Sequence, residues 1–244
     1  ILTLGRDDLF ELLKDDEVED FLGDSKVEKA LHVKKGLYLQ PLELKKKLLE
    51  HHFIKIILNE RFVSFTEEKN KVEVDFKSGL CKSYDAIAVC TGKGLKDFND
   101  NLKVSYGLMA GISNKDLFNI KKPLNHQGYI IPKVDGTNWI GSTYEQSPDL
   151  KKEKIEEKVK LNHAIFGRKG MPFKIQDLWE GERVSARSNL PIASRMPGAK
   201  NIYCIGGLGS RGLSYAPFLA EIVSSAIQDK QIPLSKEIFT LLSI

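Results

Sequence analysis

The sequence predicts an α/β (α+β) fold with two sheet regions, and three stretches of the chain indicate it. The run YDAIAVCTG (84–92) is apolar almost to its end, as is typical of a strand in a sheet covered on both faces. Strand-like segments on either side of Asp135-Gly136, a hairpin dipeptide, predict an antiparallel sheet. The glycine-rich stretch GGLGSRG (206–212) stands between an apolar strand and a helix-compatible segment. Because the two sheet regions interleave along the chain, we expect domains built from discontinuous segments.

The N-terminal part of the chain predicts mainly helices. Ile1–Leu4 is strand-like, and Asp7 can cap a helix over Asp8–Lys14. Glu17–Leu31 is largely charged and interrupted by glycine, which predicts two short helices. Pro41 suits the first turn of a clearer helix, whose apolar side is supplied by Leu42, Leu44, Leu48 and Leu49.

Strands dominate the rest of the chain. The predicted strands are Phe53–Leu58, Arg61–Phe65, Val72–Phe76, Asp85–Cys90, Val104–Ile112, Gly128–Pro132, Asn138–Thr143, Glu180–Arg187 and 199–207. Lys77–Gly79 is a hairpin-type turn. A charged amphipathic helix is predicted over Pro148–Phe166 and a long final helix over Ser210–Gln228, after which Ser235 can cap a short terminal helix.

Composition excludes several classes of protein. A chain of 244 residues with 41% hydrophobic content can bury one large core or two small ones, and a formal charge of +4 is compatible with a polyanionic partner without requiring one. Three scattered cysteines, Cys81, Cys90 and Cys204, argue against a disulfide framework or zinc site and suit a reducing, cytoplasmic location. No apolar run has the length of a membrane span, and the histidines lack metal-ligand spacing. We therefore expect neither a membrane nor a metal partner.

The glycine loop carries the strongest functional signal. Gly207, Gly209 and Gly212 have the G-x-G-x-x-G spacing that lets a backbone approach a pyrophosphate at a helix N-terminus. A nicotinamide-type unit also needs a second strand with an acidic ribose ligand about twenty residues further on, and residues 213–244 offer no such strand. The loop is therefore predicted to close a nucleotide-binding domain rather than to open one. The alternative, a plain glycine turn, remains open.

In this context the segment GLGSRGLSYAPFLAEIVSSAI, followed by IPLS, resembles the C-terminal flavin-contacting segment of the D-amino-acid-oxidase-like FAD oxidoreductases. Within that family it is most similar to the oxidoreductase half of the bifunctional proteins that make 5-methylaminomethyl-2-thiouridine in tRNA. The Gly-Ser-Arg-Gly-Leu core, Ala216-Pro217 and Ala220-Glu221 carry the likeness. Four further stretches agree in order and spacing, namely GLYLQPLELKKKLLE, YDAIAVCTG, GYIIPKVDGTNWIGSTYE and GERVSARSNLPIA.

The resemblance implies the family's FAD/NAD(P)-binding fold with an antiparallel-sheet substrate domain. Segments 37–97 and 181–244 would form the FAD-binding domain, and segments 1–36 and 98–180 the substrate domain. The family's N-terminal βαβ unit, whose glycine loop holds the ADP pyrophosphate, is expected to precede Ile1 and has no equivalent in this sequence. The methyltransferase half is absent too. We therefore expect a fold that is incomplete at its N-terminus, from a cut chain or a split gene.

The resemblance also implies the contacts to FAD. One set is Thr91-Gly92, at the end of the buried strand, for which a simple strand-terminating turn is the alternative. The other set lies in the terminal loop and consists of Gly206, Gly207, Gly209, Ser210, Arg211, Gly212 and Leu213. Ser210 would cap the last helix and Arg211 would supply a cation, although an ordinary surface arginine explains Arg211 as well. The helix amides would favour an anionic reduced flavin by about 0.3–1 kcal/mol.

For the substrate, the resemblance points to Arg183, because related amine oxidases pair an arginine at this strand position with a carboxylate. A guanidinium fork suits that task, since it makes two parallel charge-assisted hydrogen bonds. The alternative is a structural ion pair with Glu180 or Glu182. Arg187 lies four residues further on, where strand alternation would face it the same way.

Two tyrosines, Tyr129 and Tyr144, would line the same pocket, and packing is the alternative for each. After the second arginine the family commonly has Asp-His, whereas this chain has Ser188-Asn189. The details of the substrate loop are therefore expected to differ from those of the family.

The implied reaction is FAD-dependent oxidative removal of the carboxymethyl group from 5-carboxymethylaminomethyl-(2-thio)uridine at the wobble position of tRNA. The implied partners are tRNA and a methyltransferase domain or protein that acts next. A glycine- or sarcosine-type small amine oxidase and a non-catalytic split or truncated subunit are the alternatives. Candidate contacts to tRNA are Lys45–Lys47, Lys121-Lys122 and the lysines of 151–160, although interleaved glutamates favour a solvated helix for the last set.

Overall fold

The chain divides into two units, each assembled from two segments of sequence. Unit 1 comprises Ile1–Ile54 and Tyr106–Gly181, and unit 2 comprises Lys55–Ser105 and Glu182–Ile244. The computed structural model describes residues 7–22, 26–113, 122–132, 136–166, 169–230 and 242. Ile1–Leu4, Asp135 and Ser235, which carried predictions, lie outside these residues. The assignment of 1–36, 37–97, 98–180 and 181–244 to substrate and FAD binding stays a prediction.

The elements of the described residues follow one another in this order: β1 (Phe10–Lys14), α1 (Asp16–Leu22), β2 (Lys29–Val33), α2 (Pro41–Leu49), β3 (Phe62–Glu68), β4 (Lys71–Phe76), β5 (Cys81–Tyr84), β6 (Ile87–Val89), β7 (Leu102–Ser113), β8 (Leu124–Asn125), β9 (Tyr129–Pro132), β10 (Thr137–Gly141), α3 (Lys152–Ile165), β11 (Ile175–Ala186), β12 (Ile192–Arg195), β13 (Ile202–Gly206) and α4 (Gly212–Ile227). A 3₁₀ turn, Gly92–Asp97, follows β6.

Unit 1 is built on a five-stranded sheet in the order β11-β7-β10-β9-β8. Strand β10 pairs antiparallel with both β7 and β9, so directly opposed residues point to the same side. On one side Leu108, Ile130 and Ile140 are buried and form one cluster with Ile155 and Val159 of α3. Helix α3 therefore packs its apolar side on the sheet. Strands β1 and β2 form a separate antiparallel pair.

Unit 2 contains two three-stranded sheets, β12-β13-β6 and β3-β4-β5. Strand β13 pairs antiparallel with β12 but parallel with β6, with Cys204 opposite Val89. Helix α4 is anchored by buried Leu219 and Ile222, which cluster with Tyr203 of β13. The predicted turn at Lys77–Gly79 joins β4 to β5, and its glycine has φ +86°.

Most of the long elements agree with the sequence prediction. The predicted helices around Pro41, over 148–166 and over 210–228 are present as α2, α3 and α4, although α3 begins at Lys152 and α4 at Gly212. Strands β3, β4, β7, β9, β10, β11 and β13 lie where apolar runs or alternation placed them. Strand β5 was not predicted.

The predicted helix over Asp8–Lys14 and the second short helix within Glu17–Leu31 are wrong. Residues 10–14 and 29–33 are strands that pair with each other, with Leu12 opposite Leu31. Each segment is too short for its pattern to separate helix from strand, and the partner strand decides between them.

Two further strand predictions need correction. Phe53–Leu58 forms no strand, because it pairs with no strand in the described part of the chain. Strand β6 is present but is not buried on both faces, since Ala88 is exposed. An apolar run identifies the strand, but the elements that pack on each face decide its burial, and the face of Ala88 is left exposed.

Truncation of Ile140 tests the core of unit 1. Its side chain is fully buried, so Ile140→Ala is expected to lower the free energy of unfolding by about 2–5 kcal/mol through lost transfer free energy and a residual cavity. Val33→Ala, at a side chain 48% exposed, is the control and is expected to change stability by no more than about 0.5 kcal/mol. Urea denaturation followed by circular dichroism measures both, and equal values would contradict this core.

Candidate functional site

The parallel pairing of β6 and β13 brings two predicted cofactor-contacting segments to one edge of a sheet. Because the strands run in the same direction, Thr91-Gly92 and Gly206-Gly207 leave the sheet at its carboxyl edge. Leu95 of the 3₁₀ turn packs beneath β13, since a Cβ added to Gly206 would lie 2.1 Å from Leu95 Cδ1. In open α/β sheets, ligands bind outside the carboxyl ends of the strands. Two segments far apart in sequence thus line one candidate site.

The loop between β13 and α4 is held against β11. Gly207 and Gly209 have φ values of +66° and +56°, in the left-handed region that favours glycine. The Gly209 N–H donates to the Val184 carbonyl at 2.7 Å, and Ser185 forms a β-bridge with Leu208. A Cβ on Gly209 would also lie 2.6 Å from Ser185 Oγ. Backbone conformation and packing therefore account for these two glycines within the protein.

Gly212 and Gly92 are different, because an added Cβ would meet no close protein atom at either position. Among the described residues, a Cβ on Gly212 would meet only Leu208, at an ordinary 3.9 Å, and one on Gly92 would meet no atom within 4 Å. Gly212 also has no positive φ, whereas Gly92 has φ +58°. Packing within the protein thus gives no reason for a glycine at 212. The space there leaves room for a ligand to approach the backbone, and the flavin contact of Gly212 stays a prediction.

The N-terminus of α4 has no side-chain cap. Arg211 occupies the N-cap position, and its carbonyl accepts from the N–H groups of Ser214 and Tyr215. The amides before these have no intrahelical acceptor, and no acidic residue stands in the first turn. The prediction that Ser210 caps this helix is wrong, because Ser210 lies one residue ahead of the N-cap. The uncapped amides carry partial positive charge and suit an oxygen acceptor or an anion.

The guanidinium of Arg211 contacts the protein itself. It donates to the carbonyl of Asn189 and lies 5.3 Å from the ring centroid of Tyr215. Asn189 has φ +60° and lies between β11 and β12, so Arg211 ties the glycine loop to that connection. Its role as a flavin contact stays a prediction, as do the roles of Thr91 and Leu213.

Arg183 lies on the strand to which the glycine loop is bonded. It is half-buried in β11, next to the Val184 whose carbonyl accepts from Gly209. Strand alternation turns Glu180 and Glu182 to the opposite face, and Glu182 accepts from Lys93 Nζ at 2.9 Å. The role of Arg183 in binding a carboxylate stays a prediction, as does the alternative of a structural ion pair.

The other predicted substrate residues, Arg187, Tyr129 and Tyr144, have no described contact with the glycine loop. Arg187 is exposed, one residue past the end of β11, and its N–H donates to the Asn101 carbonyl. Tyr129 and Tyr144 belong to unit 1, where the Tyr129 hydroxyl donates to Met109 Sδ at 3.5 Å and Tyr144 is 61% exposed. The catalytic roles of Arg187 and Tyr129 stay predictions.

The residues that hold the site together were not predicted from the sequence. Leu95, Val184 and Ser185 position the glycine loop through packing and backbone contacts. Leu95 is an apolar residue between two lysines in the stretch KGLKDF, a signal for a buried contact. The contacts of Val184 and Ser185 leave no signal in the sequence, because the backbone makes most of them.

Other chemistries find little support among the described residues. No group of three or more His, Cys, Asp and Glu side chains there could hold a metal ion, and no helix there is long and apolar enough to cross a membrane. Desolvation raises the pKa of the thiols of Cys204, in β13, and Cys90, directly after β6. Both thiols therefore stay protonated at neutral pH and are poor nucleophiles.

Comparison with known proteins decides the family. A model of the family described as DAO, FAD dependent oxidoreductase, matches residues 3–226. The chain belongs to this family. The predicted recognition, the fold class and FAD as the family's cofactor are thereby confirmed. The glycine loop and Thr91-Gly92 lie within the matched region.

Curated relatives of this DAO-family chain include tRNA 5-methylaminomethyl-2-thiouridine biosynthesis bifunctional proteins MnmC. The protein of Idiomarina loihiensis is 25% identical over 97% of this chain and 41% of its own length. That of Campylobacter concisus is 24% identical over 86% of this chain and 38% of its own length. The chain thus spans about two fifths of the relatives that it matches.

Solved structures confirm the fold alone. Glycine oxidase from Bacillus cereus aligns with a TM-score of 0.80 at 18% identity, over 96% of this chain and 70% of its own. Glycine oxidase from Geobacillus kaustophilus aligns with a TM-score of 0.81 at 13% identity, over 97% of this chain and 67% of its own. The DAO-family fold is therefore preserved at low sequence identity.

Two glycine substitutions separate turn geometry from ligand contact. Gly212→Ala is expected to leave the unfolding free energy of the apoprotein within about 0.5 kcal/mol, because the added methyl group meets no close protein atom. It is expected to raise the Kd for FAD about tenfold, or about 1.4 kcal/mol, by obstructing the ligand.

The matched control, Gly209→Ala, is expected to destabilise the apoprotein by about 1–3 kcal/mol through backbone strain and contact with Ser185. Fluorescence titration with FAD and urea denaturation measure the two quantities. Unchanged FAD affinity in Gly212→Ala would remove the first turn of α4 from the cofactor site.

Proposed function

We propose that this chain is the oxidoreductase portion of a tRNA-modifying flavoenzyme. Its substrate is 5-carboxymethylaminomethyl-(2-thio)uridine at the wobble position, from which it removes the carboxymethyl group to leave 5-aminomethyl-(2-thio)uridine. The names of the curated relatives support the tRNA assignment. The single observation that carries the proposal is the hydrogen bond from Gly209 to Val184, which joins the flavin loop to the strand of Arg183.

The proposed substrate carries a negative group, and Arg183 supplies a positive one. The carboxymethylamino group carries a carboxylate, and Arg183 is the residue that binds it through two parallel hydrogen bonds. Holding the carboxylate fixes the adjacent methylene carbon and the nitrogen, whose bond is the one oxidised. Fixed geometry of this kind is a large part of what an enzyme contributes.

Bound FAD supplies the two-electron acceptor for this oxidation. The chain's own groups would bind and orient the cofactor, namely the amides at the start of α4 and the backbone of Thr91-Gly92. Oxidation converts the CH–NH bond of the substrate to an imine. Hydrolysis of that imine leaves the aminomethyl nucleoside and a two-carbon aldehyde acid, and a methyltransferase domain or protein then completes the modification.

Several of the lysines predicted to contact tRNA already form ion pairs with glutamates of the protein. On α3, Lys152 pairs with Glu156, as the interleaved charges indicated, and Lys154 pairs with Glu145, which lies before the helix. Lys47 pairs with Glu50. Lys121 lies outside the described residues. A tRNA footprint is thus a proposal that the names of relatives support more than surface charge does.

A second candidate is a small amine oxidase acting on free glycine or sarcosine. The likeness to glycine oxidases favours it, because that fold accommodates small amino acids. The same Arg183 would bind the amino-acid carboxylate, so the two candidates differ in what surrounds the amine. A non-catalytic subunit is the third alternative, and a flavin that no amine substrate reduces would favour it.

Replacement of Arg183 tests its role in binding the carboxylate. Arg183→Ala in the complete natural protein is expected to raise KM for the modified tRNA about thirtyfold, the loss of about 2 kcal/mol of charge-assisted hydrogen bonding, with the flavin spectrum unchanged. Arg61→Ala, at an exposed arginine of the same unit, is the control with unchanged KM. Steady-state kinetics checks both, and an unaltered KM in Arg183→Ala would end its assignment.

Flavin reduction under anaerobic conditions tests the substrate class. Adding tRNA from a strain that lacks the activity is expected to bleach the flavin absorbance of the complete protein, while fully modified tRNA, free glycine and sarcosine leave it unchanged. Stopped-flow absorbance measures the change. Bleaching by the free amino acids alone would establish the small amine oxidase instead.

A further inference from the structure

A groove runs along one side of helix α3, beside the segment of chain that follows the helix. This α3 groove is lined by Glu157, Lys160, Leu161, Ala164 and residues 169–173. It holds about 570 Å³, a size typical of ligand pockets, which span roughly 300–1,000 Å³. All of its lining residues belong to unit 1, whereas the glycine loop belongs to unit 2. The α3 groove therefore shares no residue with the candidate cofactor site.

The spacing of the helical residues explains why they line one wall. Positions 157, 160, 161 and 164 are three, four and seven residues apart, so they lie on the same side of an α-helix. Ile155 and Val159, which pack on the sheet, lie on another side of α3 and are fully buried. Packing on the sheet thus leaves the wall of the α3 groove uncovered.

Apolar side chains form much of the surface of the α3 groove. Leu161 is 43% exposed and Met171 is 51% exposed, so both leave apolar surface open to a ligand. Phe173 is half-buried and held in place, because its ring makes a T-shaped contact with that of His163, with the centroids 5.2 Å apart. Thioethers and aromatic rings both make favourable contacts with other aromatic rings. The groove therefore suits a flat aromatic group.

The α3 groove also carries positive charge that the protein does not neutralise. Lys160 and Lys169 are both exposed, and neither lies within ion-pair distance of a carboxylate of the described residues. Lys152 and Lys154 of the same helix differ, because each pairs with a glutamate. Glu157 is the one acidic residue of the lining, so two lysines outweigh it. This arrangement favours an anionic group beside the aromatic one.

A nucleotide of RNA combines these two chemical features. Its base is a flat aromatic ring, and the phosphates on either side of it are anions. Proteins that bind single-stranded RNA place unstacked bases against aromatic side chains and hold the backbone with basic residues. The carboxylate of Glu157 can accept a hydrogen bond from an N–H group of the base. RNA therefore fits both the wall and the charge of the α3 groove.

We propose that the α3 groove binds one unstacked nucleotide of the tRNA. The base inserts beside Leu161 and Met171, and the neighbouring phosphates lie on Lys160 and Lys169. This inference rests on the proposed function, which requires a tRNA partner, and extends it by assigning a tRNA contact to unit 1. Lysines that already pair with glutamates contribute little to it.

The salt dependence of tRNA binding tests the two lysines in the complete natural protein. Each contact with a phosphate of single-stranded RNA adds about 0.7 to the slope of log Kd against log salt concentration, because it releases counterions. Replacing both Lys160 and Lys169 by alanine is therefore expected to lower the slope by about 1.4 and to raise Kd about 25-fold at 0.1 M salt. Fluorescence anisotropy of labelled tRNA measures both quantities.

The matched control replaces Lys152 and Lys154 by alanine. It removes the same charge from nearby positions, but from lysines that already pair with glutamates, so the slope is expected to change much less. Equal slopes in the two double variants would overturn the proposal. Intact tRNA binding together with a lost association with a methyltransferase domain or protein would assign the α3 groove to a protein partner, and would overturn it as well.

Photochemical cross-linking of the unsubstituted protein provides an independent measurement. Trypsin cleaves after Lys169 and Lys174, so it releases one wall of the α3 groove as the peptide 170–174. After ultraviolet irradiation with bound tRNA and nuclease digestion, mass spectrometry is expected to find this peptide with a nucleotide attached. Cross-links confined to other peptides would contradict the proposal.

These outcomes are separate from the test of the proposed function. Flavin bleached by tRNA, with equal slopes in the two double variants, would remove the α3 groove and leave the proposed reaction in place. Binding of tRNA that depends on Lys160 and Lys169, with a flavin that the tRNA never reduces, would support the α3 groove and remove the proposed reaction.

Discussion

The parallel pairing of β6 with β13 is the constraint on which the candidate site depends. Parallel strands bring their carboxyl ends to the same edge, so two segments more than a hundred residues apart in sequence, Thr91-Gly92 and Gly206-Gly207, lie side by side. The Gly209–Val184 hydrogen bond then adds β11 to the same edge. Without the parallel pairing, Thr91-Gly92 would have no defined relation to the glycine loop, and without the Gly209–Val184 hydrogen bond Arg183 would have none.

The glycines of the loop serve two physical purposes. Gly206 and Gly209 allow close packing against Leu95 and Ser185, and Gly209 also needs a backbone conformation that side chains disfavour. Within the described structure, Gly212 has neither a close neighbouring atom nor a positive φ that would require glycine. Turn geometry and packing thus explain Gly206 and Gly209. They do not explain the glycine at 212, which is the position where the sequence predicts a ligand. The loop therefore has a structural role in packing against Leu95 and Ser185, and its contact with FAD stays a prediction.

Each unit has its own core, yet one stretch of chain stays outside both. Leu108 and Ile140 belong to the buried cluster of unit 1, and Ile202 and Leu219 to the clusters of unit 2. Residues 37–58 contain as much apolar side chain as a core segment and remain largely exposed. Apolar surface costs free energy in water in proportion to its area. The exposed apolar side chains of this stretch therefore carry a solvation cost that neither core relieves.

The sequence by itself determined the long elements, the glycine loop and the family, because periodicity, glycine spacing and several ordered motifs are local signals. It placed α2, α3, α4 and β7 close to their observed bounds. Only the tertiary structure decided that residues 10–14 are a strand, that β6 lies at a sheet edge, and that the loop is bonded to the strand of Arg183. Each of these depends on a partner distant in sequence, and a short apolar run carries no information about which partner it will find.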